Sequence, residues 1–276
     1  MGSVEVEAAE NAFANTKMTF FELASEQRLS IIFRLHGKTA KMVHLAKELG
    51  ATIQEVHRNM NRLQKAGLVE KDSEGEFSLT TFGNTIIKQI PTLNYLSKYK
   101  EYFSEHGLGE LPMKFIQRLG ALDNCEFVKG VVTILEVWKE IDRQAEEYIY
   151  VLVPQVSLDL VEPAVKRVRE KGVKFSYILP KNPIVPKGRK ELLKKLQYSE
   201  LLAKGSIERK MADSVQVSVV LNERQATVLF PNQKGETDMN AMFYSKDTLF
   251  HEWCLDYFRY RWYSSGSFDE SKINEI

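Results

Sequence analysis

Between Arg28 and Lys65 the sequence carries eight basic side chains, Arg28, Arg34, Lys38, Lys41, Lys47, Arg58, Arg62 and Lys65, against two acids, Glu48 and Glu55. Over all 276 residues Lys and Arg number 38 and Asp and Glu 37, so the positive charge is local. A near-neutral chain with one basic stretch attracts a polyanion at that place without being sticky elsewhere. Gln54, Arg58 and Asn61 within it follow helical spacing and are types that make paired hydrogen bonds to adenine or guanine edges. Lys38, Lys41, Arg62, Lys65 and the nearby Lys71 suit phosphate oxygens, and Thr52 and Ser73 add hydroxyls. A charge stripe alone usually marks only a solvated helix face, so the elements that would carry these residues decide its meaning.

Residues 20 to 35 hold Phe21, Leu23, Leu29, Ile31, Ile32, Phe33 and Leu35, a first helical region in which Ser25 can cap a turn and which Gly37 ends. A second helix is expected from Thr39 as N-cap to Leu49, burying Val43, Ala46 and Leu49, with Gly50 supplying the left-handed stop. Thr52 and Glu55 form a T-x-x-E capping box that opens a third helix, running to Ala66 with Ile53, Val56, Met60 and Leu63 inward. Leu68 to Lys71 and Glu76 to Leu79, joined by Asp72, Ser73, Glu74 and Gly75, have the chemistry of a hairpin, a wing. Thr80 or Thr81 caps a fourth helix through Ile87. Helix, short turn, basic helix and hairpin define a winged helix-turn-helix over residues 19–90, and an α-helix of this kind fits the major groove of duplex DNA.

Residues 1–18 lack periodicity and are expected to form a mobile arm. Pro91 opens a fifth helix to Ser104, whose stripe Leu93, Leu96, Tyr99 and Phe103 is more than the small winged domain would cover; residues 91–109 are therefore expected to link the domains and to pair with a second chain. Beyond it, residues 110–276 alternate helices with apolar strands, so the fold class is α+β: a winged helix-turn-helix followed by a larger α/β domain. Tyr148 to Val153, Lys174 to Leu179 and Ala226 to Phe230 each end in proline followed by a polar residue, Gln155, Lys181 or Asn232. In open α/β sheets ligands sit beyond the carboxyl ends of the strands. Those three residues are accordingly the expected effector site, with Lys181 suited to a small anionic metabolite.

The segments ASEQRLSIIFRL, IQEVHRNMNRLQKAGLVEKD and FSLTTFG resemble winged-helix regulators of the ArsR and MarR type, over about residues 20 to 90. EEYIYVLVPQ, KGVKFSYILP and FHEWCLDYFRYRW resemble the carboxy-terminal domain of archaeal regulators named for a methanogenesis regulatory protein, domains similar in fold to phospholipase D. Phosphodiester hydrolysis on that fold requires H-x-K-x₄-D. The one H-x-K here, His36-Gly37-Lys38, lies in the winged domain with Val43 where the Asp belongs. The expectation is therefore not an enzyme.

His251 and Cys254 lack the further ligands that a zinc site needs, so no metal and no cofactor are expected. The isolated Cys125 and Cys254 imply no disulfide framework, and no apolar run approaches the length of a membrane span, which suggests a cytoplasmic protein. Together these features point to a sequence-specific regulator that binds double-stranded DNA as a homodimer, its second domain modulating operator binding. The alternatives are a phosphodiester enzyme with an appended winged helix, and an RNA- or protein-binding adaptor.

Overall fold

The computed structural model describes residues 13, 14 and 16–276, in two units that meet in sequence at Ile90 and Pro91. The expected arm, residues 1–18, lies mostly outside the described residues; residues 16–23 are helical. Ser25 accepts from the Arg28 N–H and opens α1, Glu26–Leu35. The first helical region is divided at the expected Ser25 cap, because the cap residue takes an extended backbone.

The second expected helix also begins later than its sequence suggests. β1, Ala40–Lys41, pairs with a strand of the wing, and α2 is Met42–Leu49. Thr39 caps nothing and instead donates to Glu76 at 2.5 Å. The later start turns Leu45 and Ala46 inward and leaves Val43 60% exposed, contrary to the expected burial. Gly50 closes the helix at φ +61°, a conformation glycine adopts without penalty.

Two residues on, α3, Ile53–Lys65, opens with the complete capping box: the Glu55 N–H donates to Thr52 Oγ1 at 3.2 Å, and the Thr52 N–H donates to Glu55 Oε2 at 2.9 Å. Val56, Met60 and Leu63 are buried against Ile31, Leu35 and Leu45 in one cluster. Ile53, expected to join them, is 53% exposed, since the first residue of the helix packs outside that cluster.

The wing is β2, Val69–Lys71, paired antiparallel with β3, Glu76–Leu79, and β3 lies between β2 and β1. Its turn is held by the Asp72 carboxylate, which accepts the N–H groups of Glu74 (2.9 Å) and Glu76 (2.8 Å). α4, Thr81–Ile87, follows, capped by Thr80. Within it a Cβ on Gly83 would lie 2.1 Å from the Leu68 carbonyl oxygen. Gly83→Ala is therefore expected to destabilise the first unit by about 1–3 kcal/mol through overpacking, although helix propensity alone favours alanine by about 1 kcal/mol. Denaturant unfolding checks this, and an unchanged or raised midpoint would refute it.

In the second unit an eight-stranded mixed sheet runs in the order β11-β7-β6-β5-β8-β9-β10-β4. β4 is Glu126–Lys129, β5 Tyr148–Leu152, β6 Lys174–Pro180, β7 Ile207–Ala212, β8 Ser218–Asn222, β9 Ala226–Leu229, β10 Ala241–Ser245 and β11 Gly266–Ser267. β5, β6 and β7 are parallel, whereas β8, β9, β10 and β4 continue antiparallel. β5 and β6 are joined by a helical crossover, and β8 and β9 form a hairpin.

Helices cover both faces of this sheet. On one face α5 (Ile90–Lys98), α6 (Lys100–Glu105) and the short α7 (Met113–Ile116) pack with the last helix, whose Phe250, Trp253 and Tyr257 are fully buried. On the other lie α8 (Val131–Gln144), α9 (Leu158–Lys171), α10 (Arg189–Lys195) and α11 (Tyr198–Ala203). α12, Thr248–Ser264, is the aromatic closing helix, capped by Asp247.

The expected dimerisation helix requires correction. It breaks at Tyr99 into α5 and α6, and its stripe is core of the second unit rather than a free seam. Tyr99 packs 4.8 Å from the Phe243 ring and Phe103 5.7 Å from Phe230, and Leu96 joins the same cluster. Only Leu93 of the four is left 49% exposed. The apolar stripe was real, but the sheet face of its own chain covers it.

Candidate nucleic-acid interface

Helical geometry places Gln54, His57, Arg58, Asn61 and Lys65 on one side of α3, and all five are exposed, opposite the buried Val56, Met60 and Leu63. The Asn61 amide lies 3.4 Å from the His57 ring. His57 escaped the sequence reading, although its spacing of three from Gln54 and four to Asn61 places it in the middle of that face. Thr52 sits at the N-terminal edge, and its hydroxyl and N–H are committed to the capping box.

The basic stretch divides into engaged and free cations. Arg28, 7% exposed, bonds the carbonyls of Glu22 (2.7 Å) and Phe21 (3.0 Å) and lies 3.0 Å from the Glu22 carboxylate. Arg62 grips the same carboxylate with Nε at 3.0 Å and Nη2 at 2.7 Å and stacks 5.2 Å over the Phe21 ring. This corrects its assignment to a phosphate: a guanidinium forked onto a buried carboxylate is already matched. The hydrogen bond from Arg62 holds the Glu22 carboxyl below the usual glutamate range.

Arg34 and Lys38 share Glu48, at 3.4 and 3.6 Å. Lys41, Arg58 and Lys65 make no ion pair among the described residues, and Lys71 lies 5.5 Å over the Phe77 ring. Lys71 and Ser73 also sit among acids, for the wing carries Glu70, Asp72 and Glu74 exposed. Sequence counting from Arg28 to Lys65 stopped short of those acids, which oppose approach to phosphate.

The three expected effector residues lie at the same end of the sheet, since β5, β6 and β9 run in one direction, but they do not converge. Lys181 is ion-paired with Asp213. Asn232 closes its own turn, accepting the N–H groups of Lys234 (2.9 Å) and Glu236 (3.1 Å). Gln155 alone lines a cavity. Proline followed by a polar residue here marks how strands leave a sheet.

The two histidines of the second unit are likewise committed to the framework. His106 bridges the Tyr102 carbonyl (2.8 Å) and Asp238 (2.9 Å), and His251 lies 2.6 Å from the Asn222 carbonyl. Cys254 is fully buried, and no group of three or more potential metal ligands occurs among the described residues. No described helix is long and apolar enough to cross a membrane.

The fold defines a chain of two parts, a winged helix and a larger α/β unit. No protein-family model matches it, and no curated protein does. Among solved structures, it is similar to TrmBL2, described as an archaeal chromatin protein with a novel mode of DNA binding, at 13% identity and a TM-score of 0.41 over 88% of this chain and 94% of that one. Reduced HlyU from Vibrio cholerae N16961 matches 32% of this chain and 96% of its own at 22% identity and a TM-score of 0.29. Nuc from Salmonella typhimurium, a phospholipase D family member, matches 53% of this chain and 99% of its own at 11% identity and a TM-score of 0.40.

Proposed function

We propose that this chain is a sequence-specific DNA-binding transcriptional regulator, acting as a homodimer whose second unit modulates operator binding. The observation that carries the reading is the exposed face of α3, where Gln54, Arg58 and Asn61 stand beside the unpaired Lys65. A helix with that face enters the major groove, with Arg58 suited to guanine and Gln54 or Asn61 to adenine. Lys41 and Lys65 bind phosphates on either side. Two such units on one duplex combine through effective concentration and match a palindromic site.

Binding of genomic duplex fragments by the full chain, titrated with salt, tests the proposal. Two phosphate contacts per chain, Lys41 and Lys65, give a dimer a slope of log affinity against log salt of roughly −4. Equal affinity for RNA of the same length would overturn the DNA reading. In sedimentation at micromolar concentration the expected mass is that of two chains; a single-chain mass would overturn the dimer.

The acidic wing leads to a further expectation. Glu74→Lys should raise affinity for all sequences alike and steepen the salt slope by about one unit per wing, because a repelled hairpin becomes an attracted one. An unchanged slope would take the wing off the duplex.

A further inference from the structure

The second unit holds a cavity of about 100 Å³ between α8, α9 and the sheet. Leu135 and Trp138 of α8, Leu160 and Val161 of α9, and Phe175 and Leu179 of β6 make most of its wall apolar. For scale, an engineered apolar cavity of about 150 Å³ holds benzene. One charged lining group has no partner. Asp142, near the end of α8, is 4% exposed, and its carboxyl has no hydrogen bond or ion pair among the described residues.

Its neighbours on the helix are engaged elsewhere: Lys139 pairs with Glu136 and Arg143 with Glu140. The other titratable groups lining the cavity are Arg189, held by Glu270 at 2.6 Å, and Tyr177 and Tyr198; α9, β5 and β8 contribute none. The unmet titratable group in this cavity is therefore a single carboxyl, beside the uncharged Gln155 and Ser157. Burial without a partner pushes it well above the usual aspartate range. A carboxyl that opens onto a largely apolar cavity with no protein partner costs stability, and a native fold that retains one is most simply explained by a partner that arrives from outside.

We infer that the cavity binds a small apolar amine, its ammonium meeting the Asp142 carboxylate and its hydrocarbon body filling the space between α8 and α9. An amine is the head group that both donates hydrogen bonds to the carboxylate and cancels its charge. A carboxylate or phosphate ligand would bring a second acid into a wall whose one cation, Arg189, is already held by Glu270, so the ligand class is opposite in sign to the one Lys181 suggested. That this amine is an effector rests on the regulatory reading above, whereas its binding does not.

Three compounds with one carbon skeleton test the site by calorimetry on the full chain: isoamylamine, isoamyl alcohol and isovalerate. The amine is expected to bind about tenfold or more tighter than the alcohol, with no binding of isovalerate. Asp142→Asn should lower the amine to the affinity of the alcohol, and Val161→Phe, which fills the cavity and leaves the carboxyl in place, should abolish both. Equal affinities of amine and alcohol, full amine affinity in Asp142→Asn, or no binding to the wild type would each overturn the site. DNA affinity is measured separately with the amine bound; no change there would remove the regulatory role and leave the site standing.

Discussion

Glu22→Ala is expected to destabilise the first unit by about 3–5 kcal/mol, the cost of leaving a buried cation without its counter-charge. Glu22 and Arg28 are each 7% exposed, and the carboxylate serves two guanidiniums at once, Arg28 at 3.0 Å and Arg62 at 2.7 Å. Arg28 keeps its two carbonyl partners but loses its compensating charge, whereas Arg62, 38% exposed on its side chain, is released to water. Because the folded Glu22 titrates below its ordinary value of 4.5, this stabilisation is full above pH 4.5 and is lost as pH falls through the folded value. The gap between wild type and variant therefore closes in acid. Denaturant unfolding followed on the first unit's transition at neutral and acid pH reads it directly; a loss under about 1 kcal/mol at neutral pH would show that the carbonyls alone hold Arg28. The fraction of the variant that stays folded would also carry a freed Arg62 on α3, and its salt slope on DNA should be steeper than that of the wild type.

Arg58→Ala is expected to weaken specific duplex binding by about 1–3 kcal/mol and to relax preference at one base pair of each half-site. The substitution is clean in structural terms. Arg58 is exposed and makes no ion pair among the described residues, so stability should change by less than about 0.5 kcal/mol. Lys65→Ala is the control: as a phosphate contact it should weaken all sequences alike and flatten the salt slope by about one unit per chain. Competition among single-base variants of a bound fragment separates the two results. If Arg58→Ala behaved as Lys65→Ala does, losing affinity without losing preference, base reading would belong to other residues of the face, with His57 the next to replace.

Much of the first unit was legible because its signals are local. The Thr52–Glu55 box, the Gly50 stop and the spacing of Val56, Met60 and Leu63 act within one or two helical turns, and the structure shows all three. Where a signal involved residues distant in sequence, local reading failed. Thr39 had the chemistry of a cap, yet β3, more than thirty residues on, claims the neighbouring backbone as a strand. Gly83 was one letter of a motif until the Leu68 carbonyl was seen against it.

The sequence by itself determined that a basic, capped helix follows a short turn and precedes a hairpin, and that an α/β unit comes after, because period, caps and turn residues report on the chain's own backbone. Only the tertiary structure decided which charges and apolar side chains remain free. Eight basic residues look alike in a row, but burial against Glu22 and proximity to Glu48 neutralise four of them, whereas Lys41, Lys47, Arg58 and Lys65 make no ion pair among the described residues. Leu96, Tyr99 and Phe103 are covered by their own sheet, and the carboxyl of Asp142 has no partner among the described residues. Pairing and burial depend on residues far apart in the chain, and electrostatic and apolar interactions act through space, so their outcome is settled only once the fold has set the distances.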